Sequence, residues 1–255
     1  MTRNHPPASG NMLDKAAALL NCFAPDGGPY RLSELARRAG LPKTTAHRLV
    51  GQLERLGLLE RAGDWSDSGY RLGARLFELG SLVPRRLDLR ETALPFLQDL
   101  HAAAGEAVHL GVRDDRSAVC LDHVHGHDGL PMPFRTGGRL PLTCTAVGKA
   151  LLAFSDPGLG ERILAAPLPR LTDHSITDPA RLRTELEQAQ NTGLAYAEQE
   201  SALGVSCIAA PVFDRRGEAV AALSVAVPCA RFRPAILAPA LRTAALGLSR
   251  RLRGA

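Results

Sequence analysis

Residues 32–61 read LSELARRAGLPKTTAHRLVGQLERLGLLER, and the punctuation inside this stretch decides the fold. Ser33 opens a short helix, Glu34 to Ala39, whose apolar side is Leu35, Ala36 and Ala39. Gly40 stops it, as a glycine just past a helix end does by taking a left-handed conformation at no steric cost. Leu41-Pro42 restarts a helix with proline in the first position, where its missing N–H is not needed. This second helix runs to about Leu56, with Ala46, Leu49, Val50 and Leu53 on one side and Gly57 as its stop. Upstream, Leu13, Ala16, Ala17 and Leu20 fall at the i, i+3, i+4, i+7 spacing of another amphipathic helix, followed by a Pro/Gly loop at 25–29. Downstream, Leu58–Arg61 and Tyr70–Leu72 read as short strands around a polar tip at 62–69 that contains Trp65. Helix, helix, glycine-containing turn, helix and β-hairpin make a winged helix-turn-helix layout.

In such a motif the start of the second helix meets base edges in the major groove. Here that start carries Lys43, Thr44 and Thr45, with His47 and Arg48 one turn on. Lys and Arg suit phosphates and guanine, and Thr suits a phosphate or a thymine methyl. Arg37 and Arg38 on the preceding helix read either as phosphate contacts or as a solvated face. Charge supports the placement. Residues 1–75 hold eleven Lys/Arg against seven Asp/Glu, which leaves only one of the five net positive charges to the other 180 residues.

The chain has 255 residues, 45% hydrophobic and 22% charged, a composition that excludes wholesale disorder. No apolar run reaches a membrane span and the N-terminus lacks a signal-peptide apolar core, so a cytoplasmic protein without membrane contact is expected. Five scattered cysteines without a CxxC pair argue against a disulfide framework or a cysteine zinc finger. The expected organisation is a disordered tail at 1–10, the winged helix-turn-helix at 11–72, a linker helix at 73–90 broken near Pro84, and a larger domain at 91–255. Leu76, Leu79 and Val83 in the linker form an apolar stripe suited to a dimer or interdomain contact. In the larger domain a helix is expected from Arg90 to Ala104, strands at 106–113, 117–124, 207–213 and 219–227, and helices at 145–155, 157–165, 178–192 and 234–252. Neighbouring hairpin strands imply an α+β domain with an antiparallel sheet.

Four segments in order, the 32–61 stretch with YRLGARLFELG, GEAVHLGV with VCLDHV, GGRLPLTCTAVGKALLA, and GLAYAEQESALGVSCIAAPVFDRRGEAVAALSVAVP, resemble the IclR-type transcriptional regulators. The resemblance runs from about Leu13 to Leu252. It implies a winged helix-turn-helix, a linker helix and a C-terminal GAF-like effector domain with an antiparallel sheet, hence a ligand-responsive repressor or activator of metabolic genes. The implied partners are a double-stranded DNA operator, a small-molecule effector such as an organic or aromatic acid, and further copies of the chain in a homodimer or dimer of dimers. No cofactor is implied. By motif position the effector site is lined by Leu140, Ala146, Val147, Val205, Cys207 and Ser224, with Met132 in the preceding loop. Backbone N–H groups at the start of the 145–154 helix suit a carboxylate, and Thr143 and Thr145 add hydroxyls. Ala197 stands where some members have an acidic residue, and Ala226 where some have a second serine. The ligand is therefore expected to be more apolar than a two- or three-carbon keto acid.

Two other chemistries are weighed against this. Gly204-Val205-Ser206-Cys207-Ile208 resembles a nucleophile elbow without its final glycine, so the alternative is a small hydrolase or thiol-dependent enzyme using Cys207 or Ser206 beside a DNA-binding head. His123, His125 and His127 alternate, which on a strand puts three imidazoles on one face as a zinc site needs. Gly126 and Asp128-Gly129 instead suggest a solvated loop, and no metal is expected.

Overall fold

The computed structural model describes residues 10–23, 28–63, 69–125 and 134–254. The chain divides into two compact units between Pro84 and Arg85. The first contains α1 (Met12–Leu20), α2 (Leu32–Arg38), α3 (Lys43–Arg55), the antiparallel hairpin β1 (Leu59–Ala62) and β2 (Gly69–Leu72), and α4 (Ala74–Ser81). Asn11 caps α1 reciprocally with Asp14. The turns after α2 and α3 are built alike. Gly40 and Gly57 take φ of 64° and 69°. The N–H groups of Leu41 and Leu58 reach back to the carbonyls of Ala36 and Leu53, each at 2.9 Å. This six-to-one bond is the Schellman cap, and it turns the chain while satisfying helix-end carbonyls. Pro42 serves as the N-cap of α3 rather than its first helical residue, with its carbonyl accepting from the N–H of Ala46. The core of this unit is Leu19, Leu35, Ala36, Ala46, Leu49, Val50, Leu53 and Leu59 with Tyr30 and Tyr70.

The linker helix breaks just before Pro84, as expected, but residues 84–90 belong to the following helix rather than to the linker. α4 stops at Ser81, and α5 runs unbroken over Pro84–Ala104. The residue before a proline avoids the helical region, so Val83 cannot carry the helix on, while Pro84 suits a helix start. Pro95 lies inside α5 on an exposed face, where the carbonyl it leaves unpaired can meet water.

The second unit is a six-stranded antiparallel sheet of order β5-β4-β3-β8-β7-β6. Its strands are β3 (Ala107–Asp114), β4 (Ser117–Val124), β5 (Arg139–Pro141), β6 (Ala195–Glu198), β7 (Val205–Phe213) and β8 (Ala219–Pro228). Alternation sends Val108, Leu110, Val112, Ile208, Ala210, Val212, Leu223 and Val225 into a layer with α5 and α9 (Pro234–Arg253). The opposite face packs on α6 (Ala146–Ala153), α7 (Pro157–Leu164) and α8 (Pro179–Thr192). The two faces differ in size. The α5/α9 face is mainly branched aliphatic, whereas the α6 face offers Ala107, Gly111, Ala118, Cys120, Cys207, Ala209, Ala222, Ser224 and Ala226. Among the described residues no helix is long and apolar enough to cross a membrane.

Candidate functional site

In the first unit, the caps around α2 and α3 fix which side of α3 faces out. Ala46, Leu49, Val50 and Leu53 are buried, and Lys43, Thr44, His47 and Arg48 are exposed, with Thr45 half-buried. At 100° per residue these polar positions share one side of the helix with exposed Arg55. Glu54 is paired with Arg61 at 2.9 Å, which offsets the one acidic charge of the helix. The two arginines of α2 part company. Arg37 is exposed. Arg38 lies 4.0 Å over the Tyr30 ring, pairs with Glu34 at 2.8 Å and donates to the Cys22 carbonyl. Its contacts are those of a brace within the unit. Trp65 lies outside the described residues.

In the second unit, the start of α6 lies on the small-residue face. A Cβ on Gly111 would meet Val147 Cγ1 at 2.5 Å and Phe134 at 3.3 Å, so the bare glycine is what lets the helix approach β3. Leu140, Ala146, Val147 and Cys207 belong to one cluster here, and Val205 and Ser224 project from the same face. Met132 lies outside the described residues. Ala107, Ala226, Cys207 and Ala197 form one row across four strands. Ala197 and Ala226 are thus apolar neighbours of Cys207. Cys207 is only partly buried, although the strand positions on either side of it are buried. Thr145 caps α6, its hydroxyl accepting from the Gly148 N–H at 2.9 Å. Thr143 is buried with its hydroxyl beside Cys144 Sγ.

Two groups on this face escape a reading of the sequence. Lys149, in the middle of α6, is 1% exposed and bonds to Glu200 at 2.7 Å and to Glu185. A lysine inside GKALLA looks like a solvent-facing residue, and the partner that explains it is 51 positions away. Burial raises the Glu200 carboxyl above its usual range, with Lys149 opposing. The other group is His109, buried on β3 between Ser224 on β8 and His123 on β4. Burial, helped by His123 and His125, pushes its pKa down to about 3, so the ring is neutral. Among the described residues its Nε2 has no hydrogen-bond partner. The available signal was a lone polar residue between Ala107 and Gly111 at the inward positions of GEAVHLGV.

The nucleophile arrangement does not assemble. Ser206 and Cys207 point to opposite faces of the sheet. Burial drives the Cys207 thiol up to about 12, far from the thiolate a nucleophile requires. His123 and His125 share a hydrogen bond of 3.0 Å between their Nε2 atoms, and His123 Nδ1 lies 3.0 Å from the Thr136 hydroxyl. His127 lies outside the described residues. Among those described, no three His, Cys, Asp or Glu side chains converge as a metal site requires.

Comparison with known proteins joins the two units. Residues 12–63 match the IclR helix-turn-helix domain and residues 82–250 match the bacterial transcriptional regulator IclR C-terminal domain. The transcriptional repressor IclR of Escherichia coli is 32% identical over 230 residues, 88% of this chain and 83% of that protein. The HTH-type transcriptional regulator BhcR of Paracoccus denitrificans is 35% identical over 226 residues, 88% of this chain and 80% of its own length. The crystal structure of an IclR homolog from Microbacterium hydrocarbonoxydans complexed with 4-hydroxybenzoate has a TM-score of 0.84 at 33% identity, covering 96% of this chain and all of that one. A basic helix-turn-helix followed by an antiparallel effector fold, matched along nearly its whole length, makes this chain a member of the IclR family of ligand-responsive transcriptional regulators.

Proposed function

We propose that α3 enters the major groove of an operator and that Lys43, Thr44, Thr45, His47 and Arg48 make its contacts, with Arg37 on a flanking phosphate and β1–β2 as the wing. The observation that carries this is the outward, net-positive side of α3 held between two Schellman caps. Arg38 belongs to the interior support of this face rather than to the contact itself.

A small organic acid occupies the space between the α6 N-terminus and the small-residue face, lined by Leu140, Ala146, Val147, Val205, Cys207 and Ser224. N–H groups in the first turn of a helix lack intrahelical partners and suit an anion. The apolar row at Ala197, Cys207 and Ala226 favours an effector with an apolar body, and the Microbacterium relative was crystallised with such an acid. The chain acts as a dimer or dimer of dimers. α4 has no buried residue, and Phe77, Leu82 and Val83 are 81%, 73% and 45% exposed, an apolar surface that a second copy would cover. Ligand binding then shifts the populations of two spacings of the DNA-binding heads.

Fluorescence anisotropy on DNA from upstream of the gene, with competitor DNA and a salt series, tests the DNA reading. Arg48→Ala and Thr44→Ala should each weaken specific binding by about 1–3 kcal/mol without lowering the melting temperature. Unchanged affinity in both variants would contradict this placement of the recognition helix.

A further inference from the structure

A cavity of about 470 Å³ lies against β6 and α8 and shares no residue with the effector lining proposed above. Tyr196 and Glu198 line it from β6, Arg181 and Glu185 from α8, and Glu200 from just beyond β6. Ala195 and Ala197, the alternate positions of the strand, belong to the α6 face instead. Glu200 is buried while Asp173, Arg181 and Glu198 are exposed, so Glu200 forms the floor and the others the rim. Glu200 Oε1 and Glu185 Oε2 both hold the Lys149 ammonium, and Lys149 is not part of the lining. The two carboxylates therefore stand between Lys149 and the cavity. The second oxygen of Glu200, Oε2, is buried and has no hydrogen-bond partner among the described residues. Burial raises the pKa of this carboxyl, Lys149 lowers it, and Glu185 and the Glu198 backbone N–H exert smaller, opposing effects. Buried polar atoms are almost always paired, and a carboxylate oxygen only accepts, so the group that Oε2 lacks is a donor. Charge says which kind. Asp173, Glu185, Glu198 and Glu200 outnumber the cations beside them, which are Arg181, Lys149 behind the floor and Arg170, paired with Asp173 at 2.6 Å. The cavity is thus net negative in a chain of net charge +5. Among the described residues these groups do not converge as a bare metal ion requires. β6 is also the last strand of the sheet, and the Gln199 N–H bonds back to Val205. Alternation then turns the backbone carbonyls of Tyr196 and Glu198 outward, away from β7.

We propose that this cavity is a second ligand site, which takes a hydrophilic organic ammonium whose charged nitrogen donates to Glu200 Oε2 and to the outward carbonyls of β6. An ammonium carries three donors and no acceptor, which suits an unpaired carboxylate oxygen beside a row of edge carbonyls. Its hydrogen bond to a carboxylate is charge-assisted and so among the stronger ones. An alcohol brings one donor without charge, and a carboxylate is repelled. A linear diamine matches the distribution of charge, one end on buried Glu200 and the other among the rim carboxylates. Arg181 at the rim opposes it. The site is separate from the effector space, and its occupancy does not depend on what binds there.

Calorimetric titration of the full chain at low, fixed salt with 1,4-diaminobutane, butane-1,4-diol and succinate tests the assignment, since the three have similar length and are cationic, neutral and anionic. The diamine should bind at least about tenfold tighter than either of the others, the worth of a hydrogen bond between charged groups. Glu200→Gln keeps the shape of the floor and leaves Lys149 its bond to Glu185, and diamine affinity should fall about tenfold or more. Gln188 is an exposed residue of the lining. Gln188→Trp should obstruct the cavity and weaken the diamine by about tenfold. Arg181→Ala removes an exposed like charge and should tighten the diamine about twofold. Cys207→Met, which enlarges a side chain of the α6 face, should leave diamine affinity within about twofold. Thermal melts establish that each variant is folded. Diamine binding no tighter than that of the diol overturns the proposal, as does diamine affinity unchanged in both Glu200→Gln and Gln188→Trp. Loss of binding in Cys207→Met with Glu200→Gln unaffected puts the amine on the α6 face and overturns the proposal too. Should Glu200→Gln fail to fold, unchanged affinity in both Gln188→Trp and Arg181→Ala overturns it.

Discussion

Replacing Lys149 with methionine keeps most of the side-chain length and removes the charge that holds α6 to its surroundings. Glu200, whose side chain is 6% exposed, is then left with a buried carboxylate and no cation. Glu185, at 28%, can turn toward water. Breaking a buried pair by removing one partner costs about 3–5 kcal/mol. The lower end is expected, because only Glu200 is trapped and it can escape the penalty by taking up a proton. That escape gives the prediction its sign. Glu200 already has a folded-state pKa above its ordinary value, chiefly through burial, and Lys149 is the main influence lowering it. Removing Lys149 raises it further. A carboxyl with a raised folded-state pKa binds its proton more tightly folded than unfolded, so stability is lost as pH rises through that pKa. Urea denaturation followed by circular dichroism should therefore show Lys149→Met less stable than the wild-type chain by about 3 kcal/mol at pH 8 and by clearly less at pH 5. Adding Glu200→Gln should recover part of the loss at pH 8. A deficit below about 1 kcal/mol, or one equal at both pH values, would show that Lys149 does not hold Glu200 in its buried ionised form.

The two arginines of α2 should separate by assay. Arg38→Ala should lower the melting temperature by removing the Tyr30 and Glu34 contacts, whereas Arg37→Ala should leave it unchanged and reduce the salt dependence of DNA binding by about one counterion. Phe77→Glu should shift the chain toward monomer in sedimentation equilibrium and weaken operator binding, with the helix-turn-helix itself still folded.

What the sequence displays and what it hides follow from how local each signal is. The helix-turn-helix is legible because its determinants lie within a few residues of one another. Gly40 and Gly57 mark the caps, and Ala46, Leu49, Val50 and Leu53 give the period of α3. The long strands β3, β4, β7 and β8 are legible for the same reason. β5 and β6 are not, because three- and four-residue edge strands carry too short an alternation to stand out. α5 starts six residues earlier than its apolar pattern suggests, since proline geometry at 84 outweighs periodicity there. Lys149 and His109 are the clearest cases of hidden meaning. Each has an ordinary neighbourhood in sequence, and each acquires its significance only when the sheet and α6 bring remote groups, Glu200 or Ser224, against it.

Occupancy of the α6 face is expected to change what α3 does on DNA. The direct measurement is anisotropy of the full chain on its upstream DNA, titrated with and without saturating 4-hydroxybenzoate at fixed salt. Sequence-specific binding is expected, with an affinity that the acid changes by about 5–150-fold, the range of a typical coupling between sites, and with the change lost in Cys207→Met. Binding equal for all sequences and steep in salt, or specific binding that the acid leaves untouched while calorimetry shows it bound, would contradict it.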